Sequence, residues 1–468
     1  MTINLNIVDR LHELGSGRES GLRQALVDGL GRGVTFAELS SAITGTDRCN
    51  EQSEVVFLLP EPSIACVIEY FRLVGARAKL FLIPVSTNSE QFRKLQEQYL
   101  PTRIFGSAIE LSRRNLTFEL SDYGFGISKC PDGRLLEGES SCEILLSTSG
   151  STGSQQFVRL GPLGVLVNAL DIAHSLDLCP EDRAITTLPL SYSFGLSVLH
   201  SHLVSGGSIL CSQTPILDKG FRNLISENDV TSIYGVPTSY EILEKIGLIN
   251  LTGTKLTRFA QAGGRMPTDL RSRVIRTVLD RDARLYLMYG QTEATARISI
   301  LQPEFIVDFP DSVGECVRSG TLGVGTTNDE NEIWYKGPNV MLGYCNSRKN
   351  LGSGDLLCGV LNTGDTGEMH GDLLYIRGRL KRIAKIDGVR VNMDEIEGML
   401  NVVAPVCVVD LGNALGIALR GRDREWMDHL KDELRKTGIL ERNLKWIVVD
   451  EFPLLSSGKI DYLTLTTL

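Results

Sequence analysis

Residues 143–154 read Glu-Ile-Leu-Leu-Ser-Thr-Ser-Gly-Ser-Thr-Gly-Ser, an aliphatic run followed directly by hydroxyl-bearing and glycine residues. The short aliphatic run predicts a buried strand. Small residues let backbone N–H groups approach an anion closely, and serine and threonine hydroxyls add further donors. No Gly-Lys-Ser/Thr follows, which disfavours the Walker loop of P-loop nucleotide hydrolases. The pattern indicates a phosphate-binding loop of another kind, although a flexible surface turn has a similar composition.

Short aliphatic runs also occur at residues 55–59 and 208–210, and they alternate with helical patterns. This alternation predicts an α/β fold with buried strands. One helix is expected to start at Thr268 as its N-cap, because Leu270, Val274 and Val278 recur at helical spacing.

The pattern changes past Arg379, where shorter elements follow one another closely. Strands are expected at residues 405–410, 415–419 and 444–449, with an amphipathic helix at 424–436. We therefore predict two domains, residues 1–378 and residues 379–468, with the second a compact α+β unit.

The overall composition is that of a folded globular protein. The chain has 468 residues, of which 42% are hydrophobic and 22% charged. Its 48 basic and 57 acidic residues give a net charge of −9, so no general positive field exists to hold a nucleic acid. The ten cysteines are scattered singly, without the spacing of a zinc site or disulfide framework. No apolar run reaches the roughly 18 residues that a membrane span requires. We expect a cytoplasmic protein.

Two further segments carry groups suited to phosphate chemistry. Residues 288–293 read Met-Tyr-Gly-Gln-Thr-Glu, which places the hydroxyl of Thr292 beside the carboxylate of Glu293. Mg²⁺ typically takes one or two carboxylates together with phosphate oxygens, so this pair can contact a phosphate and its metal. Residues 453–461 place Lys459 on a glycine-flanked loop, where its ammonium is a mobile point charge.

With these segments in place, the sequence resembles the adenylate-forming enzymes, which comprise acyl-CoA and aryl-CoA synthetases, peptide-synthetase adenylation domains and beetle luciferases. Eight motifs occur in the family's order, at residues 148–153, 188–190, 235–238, 263–264, 289–293, 363–365, 378–390 and 457–459. The resemblance implies an α/β fold, with a large N-terminal domain of stacked β-sheets with helices and a small mobile α+β C-terminal domain. It also implies two half-reactions: a carboxylate attacks the α-phosphate of MgATP, and a thiol, usually of coenzyme A, then displaces AMP.

The resemblance also implies roles for single residues. Lys459 bridges the substrate carboxylate and the α-phosphate, Thr292 donates to that phosphate, and Glu293 holds Mg²⁺. Asp365 accepts both ribose hydroxyls, and Arg379 is a second ribose contact. From the residues alone, a solvated loop lysine, a helix-capping Thr-Glu pair and an Asx-turn remain the alternatives.

The resemblance also implies nucleotide contacts by two groups of residues. It implies in addition that Lys385 acts in the second half-reaction. The phosphate loop comprises Thr148, Ser149, Gly150, Ser151, Thr152 and Gly153. The wall around adenine comprises Gly263, Gly264 and Tyr289, and Gly290 beside it is a further nucleotide contact. The residues of the second group can also form a tight turn and a core aromatic. Lys385 can equally be a solvated lysine.

The chain departs from the family pattern at two places. Most relatives continue the phosphate loop with Pro-Lys-Gly, whereas this chain has Gln156 where the lysine is expected. The contact that this lysine usually makes with pyrophosphate is therefore weakened or supplied elsewhere, for example by Arg159. Gly195 stands where amino-acid-activating relatives carry an aspartate for the substrate ammonium, which disfavours an α-amino acid. The other candidates for an apolar and aromatic acid pocket, each of which can also be plain core, are Tyr192, Phe194, Tyr234, Tyr240 and Ala262.

The sequence thus predicts an AMP-forming ligase that activates a small or medium carboxylic acid with ATP and Mg²⁺ and transfers the acyl group to coenzyme A. Transfer to a carrier protein or an amine is the first alternative. A degenerate nucleotide-binding regulatory protein is the second, but Thr292, Glu293, Asp365 and Lys459 are all present.

Overall fold

The computed structural model describes residues 6–44, 54–136, 143–148, 156–249, 252–325, 331–386, 389–412, 414–437, 439–455 and 458–468. At residues 381, 383, 385, 389, 390 and 392 this description covers the backbone alone. None of the described helices is both long enough and apolar enough to cross a lipid bilayer.

The strands of the first half of the chain are β1 (Gln24–Asp28), β2 (Gly33–Thr35), β3 (Val55–Leu58), β4 (Lys79–Leu82), β5 (Arg103–Gly106), β6 (Glu119–Leu120), β7 (Gly126–Lys129), β8 (Glu143–Thr148), β9 (Gln156–Leu160), β10 (Arg183–Ile185), β11 (Ser208–Cys211), β12 (Ser232–Gly235) and β13 (Arg258–Gln261). Those of the second half are β14 (Arg284–Tyr289), β15 (Ser299–Leu301), β16 (Glu315–Cys316), β17 (Thr321–Val324), β18 (Glu332–Lys336), β19 (Gly343–Cys345), β20 (Val360–His370), β21 (Leu373–Arg379), β22 (Ile383–Ile386), β23 (Val389–Asn392), β24 (Val406–Asp410), β25 (Leu415–Arg420) and β26 (Leu444–Val449).

The helices are α1 (Ile7–Ser16), α2 (Phe36–Ile43), α3 (Ile64–Gly75), α4 (Ser89–Tyr99), α5 (Ala108–Arg113), α6 (Pro162–Ser175), α7 (Ser193–Val204), α8 (Lys219–Glu227), α9 (Pro237–Lys245), α10 (Thr268–Leu279), α11 (Met393–Leu400), α12 (Met427–Lys436) and α13 (Tyr462–Thr466).

Two large sheets dominate the structure. In the described residues, one has nine strands in the order β16-β15-β14-β13-β12-β10-β11-β1-β2, and the other has eight in the order β19-β9-β8-β4-β3-β5-β7-β6. The six strands from β14 to β1 run parallel, as do β8, β4, β3 and β5. Ligands of open parallel sheets typically bind beyond the carboxyl ends of the strands, which directs attention to the loops after β8, β10, β12, β13 and β14.

The main core lies between the two sheets. One cluster joins inward-facing residues of both sheets, such as Leu80 and Ile209, with residues of α3, α6 and α7. Alternate residues of the nine-stranded sheet, such as Ile233 and Phe259, pack on its other face against α8, α9 and α10. This two-residue alternation follows from the pleat of a strand and buries both faces of the sheet. The α/β fold predicted from the sequence is confirmed.

The elements past Arg379 have hydrophobic clusters of their own, built from residues between Ala384 and Leu465. They contain the hairpin β22-β23 and a three-stranded sheet in the order β24-β25-β26. Three predicted strands are observed within one residue of their expected bounds, whereas the helix expected at 424–436 begins at Met427 after a 3₁₀ segment. The boundary between residues 378 and 379 stays a prediction, and β21 ends at Arg379.

The predicted N-cap of α10 is wrong by one residue. Pro267 is the cap, with φ −52° and ψ 140°, and Thr268 is the first helical residue. The cause is local, because Pro267 already holds the extended backbone that a cap residue requires.

A buried charge cluster fixes the start of β8. The Glu143 carboxylate accepts a contact from Lys79 Nζ at 2.7 Å and one from Arg159 Nη1 at 3.3 Å. All three side chains are at most 1% exposed. Buried charges require partners, so this cluster joins β4, β8 and β9 at the end of β8 that lies away from the hydroxyl-rich loop.

We expect Glu143→Gln to lower the free energy of unfolding by about 3–5 kcal/mol, because it leaves two cations buried without their carboxylate. The measurement is the urea concentration at the unfolding midpoint. Glu90→Gln is the control, since the Glu90–Lys94 pair is exposed, and it should leave the midpoint unchanged. Equal midpoints for both variants would contradict the role given to the cluster.

Candidate active site

The Lys459 ammonium lies against the large sheet-rich body of the chain. Its Nζ is 5.1 Å from the centroid of the Tyr192 ring, a cation–π arrangement. Gly458, with φ +78°, turns the chain here, and its carbonyl accepts a hydrogen bond of 2.9 Å from Thr238 Oγ1. Thr238 follows β12 and Tyr192 follows β10. The structure thus brings the C-terminal loop to the carboxyl ends of the parallel strands.

Gly263, just past β13, makes room for this lysine. Its φ is +84°, and a Cβ built on it would lie 2.7 Å from Tyr192 Oη and 3.3 Å from Lys459 Cε. A side chain would be strained and would crowd both neighbours. Gly264 contributes its carbonyl, which accepts a 2.8 Å hydrogen bond from Gln261 Nε2. The two glycines therefore lie where the lysine enters.

The Thr292–Glu293 pair lies on a 3₁₀ turn that follows β14. The chain folds back tightly there, so a Cβ on Gly290 would be 1.8 Å from the carbonyl oxygen of Ala296. Thr292 Oγ1 is 3.1 Å from Ser193 Oγ, the hydroxyl next to Tyr192. Thr292 therefore contacts Ser193, the residue next to the Tyr192 ring that the Lys459 ammonium faces.

Glu293 is held by a tyrosine that sequence reasoning missed. Tyr344 Oη donates a hydrogen bond of 3.0 Å to Glu293 Oε1, and the Met341 amide donates to the Glu293 carbonyl at 2.8 Å. Burial raises the pKa of the Tyr344 hydroxyl, and the Glu293 charge raises it further. Tyr344 therefore stays protonated at neutral pH and acts as a fixed donor to the carboxylate.

Asp365 is a buried carboxylate between two donors. Tyr289 Oη donates to its Oδ2 at 2.6 Å, and Arg379 Nε donates to its Oδ1 at 3.0 Å. Its backbone N–H also donates to Thr363 Oγ1 at 3.1 Å, so the turn and the carboxylate position each other. The Asp365 charge raises the pKa of Arg379, and burial together with Asp365 raises that of Tyr289. Each carboxylate oxygen keeps a second acceptor site for a further hydroxyl donor.

The phosphate loop is anchored at both ends. Thr148 pairs with Gln156 across β8 and β9, so residues 149–155 connect two adjacent antiparallel strands. The predicted contacts Ser149, Gly150, Ser151, Thr152 and Gly153 lie outside the described residues. Lys385 pairs with Arg390 in the hairpin β22-β23, and its side chain also lies outside the description.

Arg159 is not at this loop, contrary to the expectation that it replaces the missing lysine. Its side chain is fully buried, and it contacts Glu143 and donates to the carbonyls of Leu342 and Gly354, both at 2.9 Å. The cause is the alternation along β9, which turns this residue toward the carboxylate on β8.

The predicted acid-pocket residues separate into two groups. Phe194 is buried, its ring centroid lies 6.2 Å from that of Tyr192 and 6.3 Å from that of Tyr234, and Ala262 belongs to the same core cluster. Tyr240 belongs to the cluster on the opposite face of the nine-stranded sheet. The structure therefore brings together Tyr192, Phe194, Tyr234 and Ala262 but not Tyr240.

Gly195 has a packing reason for its identity. A Cβ there would lie 2.3 Å from the Pro189 carbonyl oxygen and 2.8 Å from that of Leu188. Any side chain at this position requires the backbone to shift, so the first turn of α7 has no room for an aspartate.

Comparisons with known proteins agree with this arrangement. A family model described as AMP-binding enzyme matches residues 135–345. The chain is 28% identical over 348 residues to luciferin 4-monooxygenase of Luciola mingrelica, which covers 68% of this chain and 62% of that protein. It is 24% identical over 476 residues to 2-succinylbenzoate–CoA ligase of Bacillus subtilis, which covers 91% of each. The chain thus spans less than two thirds of the luciferase.

A solved structure has the same fold. The o-succinylbenzoate CoA synthetase of Bacillus subtilis, in complex with its acyl-adenylate intermediate, superposes with a TM-score of 0.76 at 22% identity, covering 97% of each chain. The fold, the matched family model and these relatives lead to one conclusion: residues 135–345 match the AMP-binding enzyme family, and the chain as a whole is similar to adenylate-forming enzymes.

Proposed function

We propose that this chain is an AMP-forming acid:thiol ligase, which activates a small or medium carboxylic acid with MgATP and transfers the acyl group to coenzyme A. The observation that carries the proposal is the position of Lys459, whose ammonium lies over Tyr192 and whose Cε lies beside Gly263. The Thr292 hydroxyl lies 3.1 Å from the hydroxyl of Ser193, the residue next to Tyr192. A positive charge and a phosphate donor therefore converge at the carboxyl ends of the strands.

In the first half-reaction, a carboxylate oxygen of the acid bonds to the α-phosphorus of ATP, and the bond between the α- and β-phosphates breaks. Pyrophosphate leaves with the electron pair. Lys459 offsets the repulsion between the two anions, and Thr292 donates to the α-phosphate. Charge preorganised in a site with little water stabilises such a transition state more than mobile solvent does.

Glu293 fits the requirements of Mg²⁺. The metal commonly binds through one or two carboxylates plus substrate phosphates, and the described residues contain no cluster of three His, Cys, Asp or Glu that would make an all-protein site. Glu293 would hold the ion, which would neutralise phosphate charge. Tyr344 keeps the Glu293 carboxylate oriented.

Asp365 would hold the ribose. Tyr289 and Arg379 each use one acceptor site of its two oxygens, and the remaining sites match the two hydroxyls of a ribose. The Arg379 side chain, which pairs with Asp365, is exposed and would offer a second contact.

In the second half-reaction, the thiolate sulphur of coenzyme A attacks the acyl carbonyl carbon, and the bond to AMP breaks. Lys385 would act in this step, on the hairpin β22-β23. The packing around Gly195 supports an acid without an α-ammonium group, because the turn has no room for its carboxylate partner.

Substituting Lys459 tests the first half-reaction. We expect Lys459→Ala to reduce acid-dependent exchange of labelled pyrophosphate into ATP by about 100-fold or more, as removal of other preorganised donors does, while ATP binding persists. Lys445→Ala is the control, since Lys445 is exposed on β26. Unchanged exchange in Lys459→Ala would contradict the role of this lysine. A wild type without exchange for any carboxylic acid would instead favour a regulatory nucleotide binder.

Asp365→Asn tests the ribose contact. The amide has one acceptor oxygen in place of two and no charge, so we expect the Kd for ATP to rise roughly 10-fold or more. Isothermal calorimetry measures this Kd directly. Asp372→Asn, at the exposed turn of the same hairpin, should bind ATP like the wild type. Equal Kd values for ATP in the two variants would contradict a contact between Asp365 and the ribose.

The acyl acceptor is tested by release of AMP from carboxylic acids with and without coenzyme A. We expect coenzyme A to accelerate AMP release and to leave as a thioester detectable by mass spectrometry. Acceleration by a phosphopantetheinylated carrier protein or by an amine alone would replace coenzyme A in the proposal and leave the first half-reaction intact.

A further inference from the structure

Arg297 is a buried cation beside the candidate acid pocket. It is 2% exposed and lies between the Thr292–Ala294 turn and β15. Its Cζ is 4.0 Å from the centroid of the Phe194 ring. Nη1 donates to the carbonyl of Ala296 at 3.2 Å, and Nε contacts the Met288 sulphur at 3.3 Å. Within the part of the chain that the structure describes, Nη2 makes no hydrogen bond.

No carboxylate among the described residues pairs with this arginine. Other buried arginines have one, as Arg159 has Glu143, Arg258 has Asp182 and Arg271 has Asp311. An unpaired buried charge is costly, and a cation–π contact and one neutral carbonyl offset only part of that cost. Such a group is therefore expected to meet an anion that is not part of the protein.

The arginine and Lys459 lie at opposite ends of one aromatic pair. From Lys459 Nζ the path leads 5.1 Å to the Tyr192 ring, 6.2 Å to the Phe194 ring and 4.0 Å to the Arg297 guanidinium. Two cations thus lie against the two rings of one aromatic pair, and both rings are candidates for the acid pocket.

A second buried polar group, the hydroxyl of Tyr234, lacks a hydrogen-bond partner near this aromatic pair. The Tyr234 hydroxyl, 1% exposed, makes no hydrogen bond to any described residue, and its ring centroid is 6.3 Å from that of Phe194. Burial lowers the pKa of Arg297 to about 10, with Tyr192 and Tyr234 opposing that change. The guanidinium therefore stays charged at neutral pH.

We propose that the acid activated by this chain carries a second carboxylate, and that Arg297 pairs with it while the first carboxylate lies between Lys459 and the α-phosphate. This inference rests on the proposed function and specifies its substrate class as short dicarboxylic acids. A purely hydrocarbon acyl group would leave the guanidinium without its anion. A carboxylate satisfies it with two parallel hydrogen bonds.

The test compares each diacid with its own monomethyl ester in acid-dependent pyrophosphate exchange. Succinate and glutarate are paired with monomethyl succinate and monomethyl glutarate, which keep one carboxylate and lose the second charge. We expect the wild type to prefer the diacids by roughly 10- to 100-fold in kcat/KM, the effect typical of a charge-assisted hydrogen-bonded pair. Arg297→Met should abolish this preference by lowering kcat/KM for the diacids while leaving kcat/KM for the monoesters unchanged. Arg297→Lys should retain part of the preference.

Arg271→Met is the matched control, because Arg271 is also buried but its partner Asp311 is half-exposed on the outer side of α10. We expect it to keep the wild-type preference. Thermal unfolding establishes that each variant is folded, and Arg297→Lys carries the comparison if Arg297→Met is not.

Three results would overturn the inference while the proposed function stands. The first is equal use of diacids and monoesters by the wild type, and the second is a preference that Arg297→Met leaves unchanged. The third is an equal rise in the KM of Arg297→Met for ATP with every acid, since Arg297 would then serve the nucleotide. Absence of exchange with all carboxylic acids would instead refute the proposed function itself.

Discussion

Everything in the site depends on a repulsion between like charges. A carboxylate and a phosphate held 4 Å apart repel each other by about 4 kcal/mol at an effective dielectric constant of 20. A protein that joins them needs positive charge at the point of contact and little water around it. In the proposed function this charge comes from Lys459, which lies far along the sequence from the sheets whose strand ends form the rest of the site. The fold therefore has to make one opening through which that side chain can enter.

The opening is made by residues that are defined by their small size or their stiffness. Gly263 leaves the space that Lys459 and Tyr192 share, and the Gly290 backbone lets the Thr292 turn fold back on itself. Asp365 is fixed between Tyr289 and Arg379, and Glu293 is fixed by Tyr344. Such preorganisation lets fixed dipoles and charges act without reorganising during the reaction.

Local sequence predicted those parts of the structure that local physics determines. The run that starts at Glu143 predicted a buried strand, because one acidic and three aliphatic residues precede a loop of small residues, and the strand is observed. The order of the motifs placed Thr292, Asp365 and Lys459 in one family pattern, and the structure places Thr292 and Lys459 against the adjacent residues Ser193 and Tyr192. Contacts between distant segments were not readable in the same way. Tyr344 meets Glu293 across 51 residues, and Ser193 meets Thr292 across 99. Arg159 gave no signal of burial until its carboxylate partner on the adjacent strand was known.

In the proposed first half-reaction, the ammonium of Lys459 meets the reacting groups while it lies between Tyr192 and Gly263. A crystal structure of the chain with a hydrolysis-resistant acyl-sulfamoyl adenosine would locate this ammonium. We expect Lys459 Nζ within about 3.2 Å of an oxygen at the acyl–sulfamoyl junction, with Tyr192 still beside it. An ammonium turned to solvent, with another cation at that junction, would contradict it.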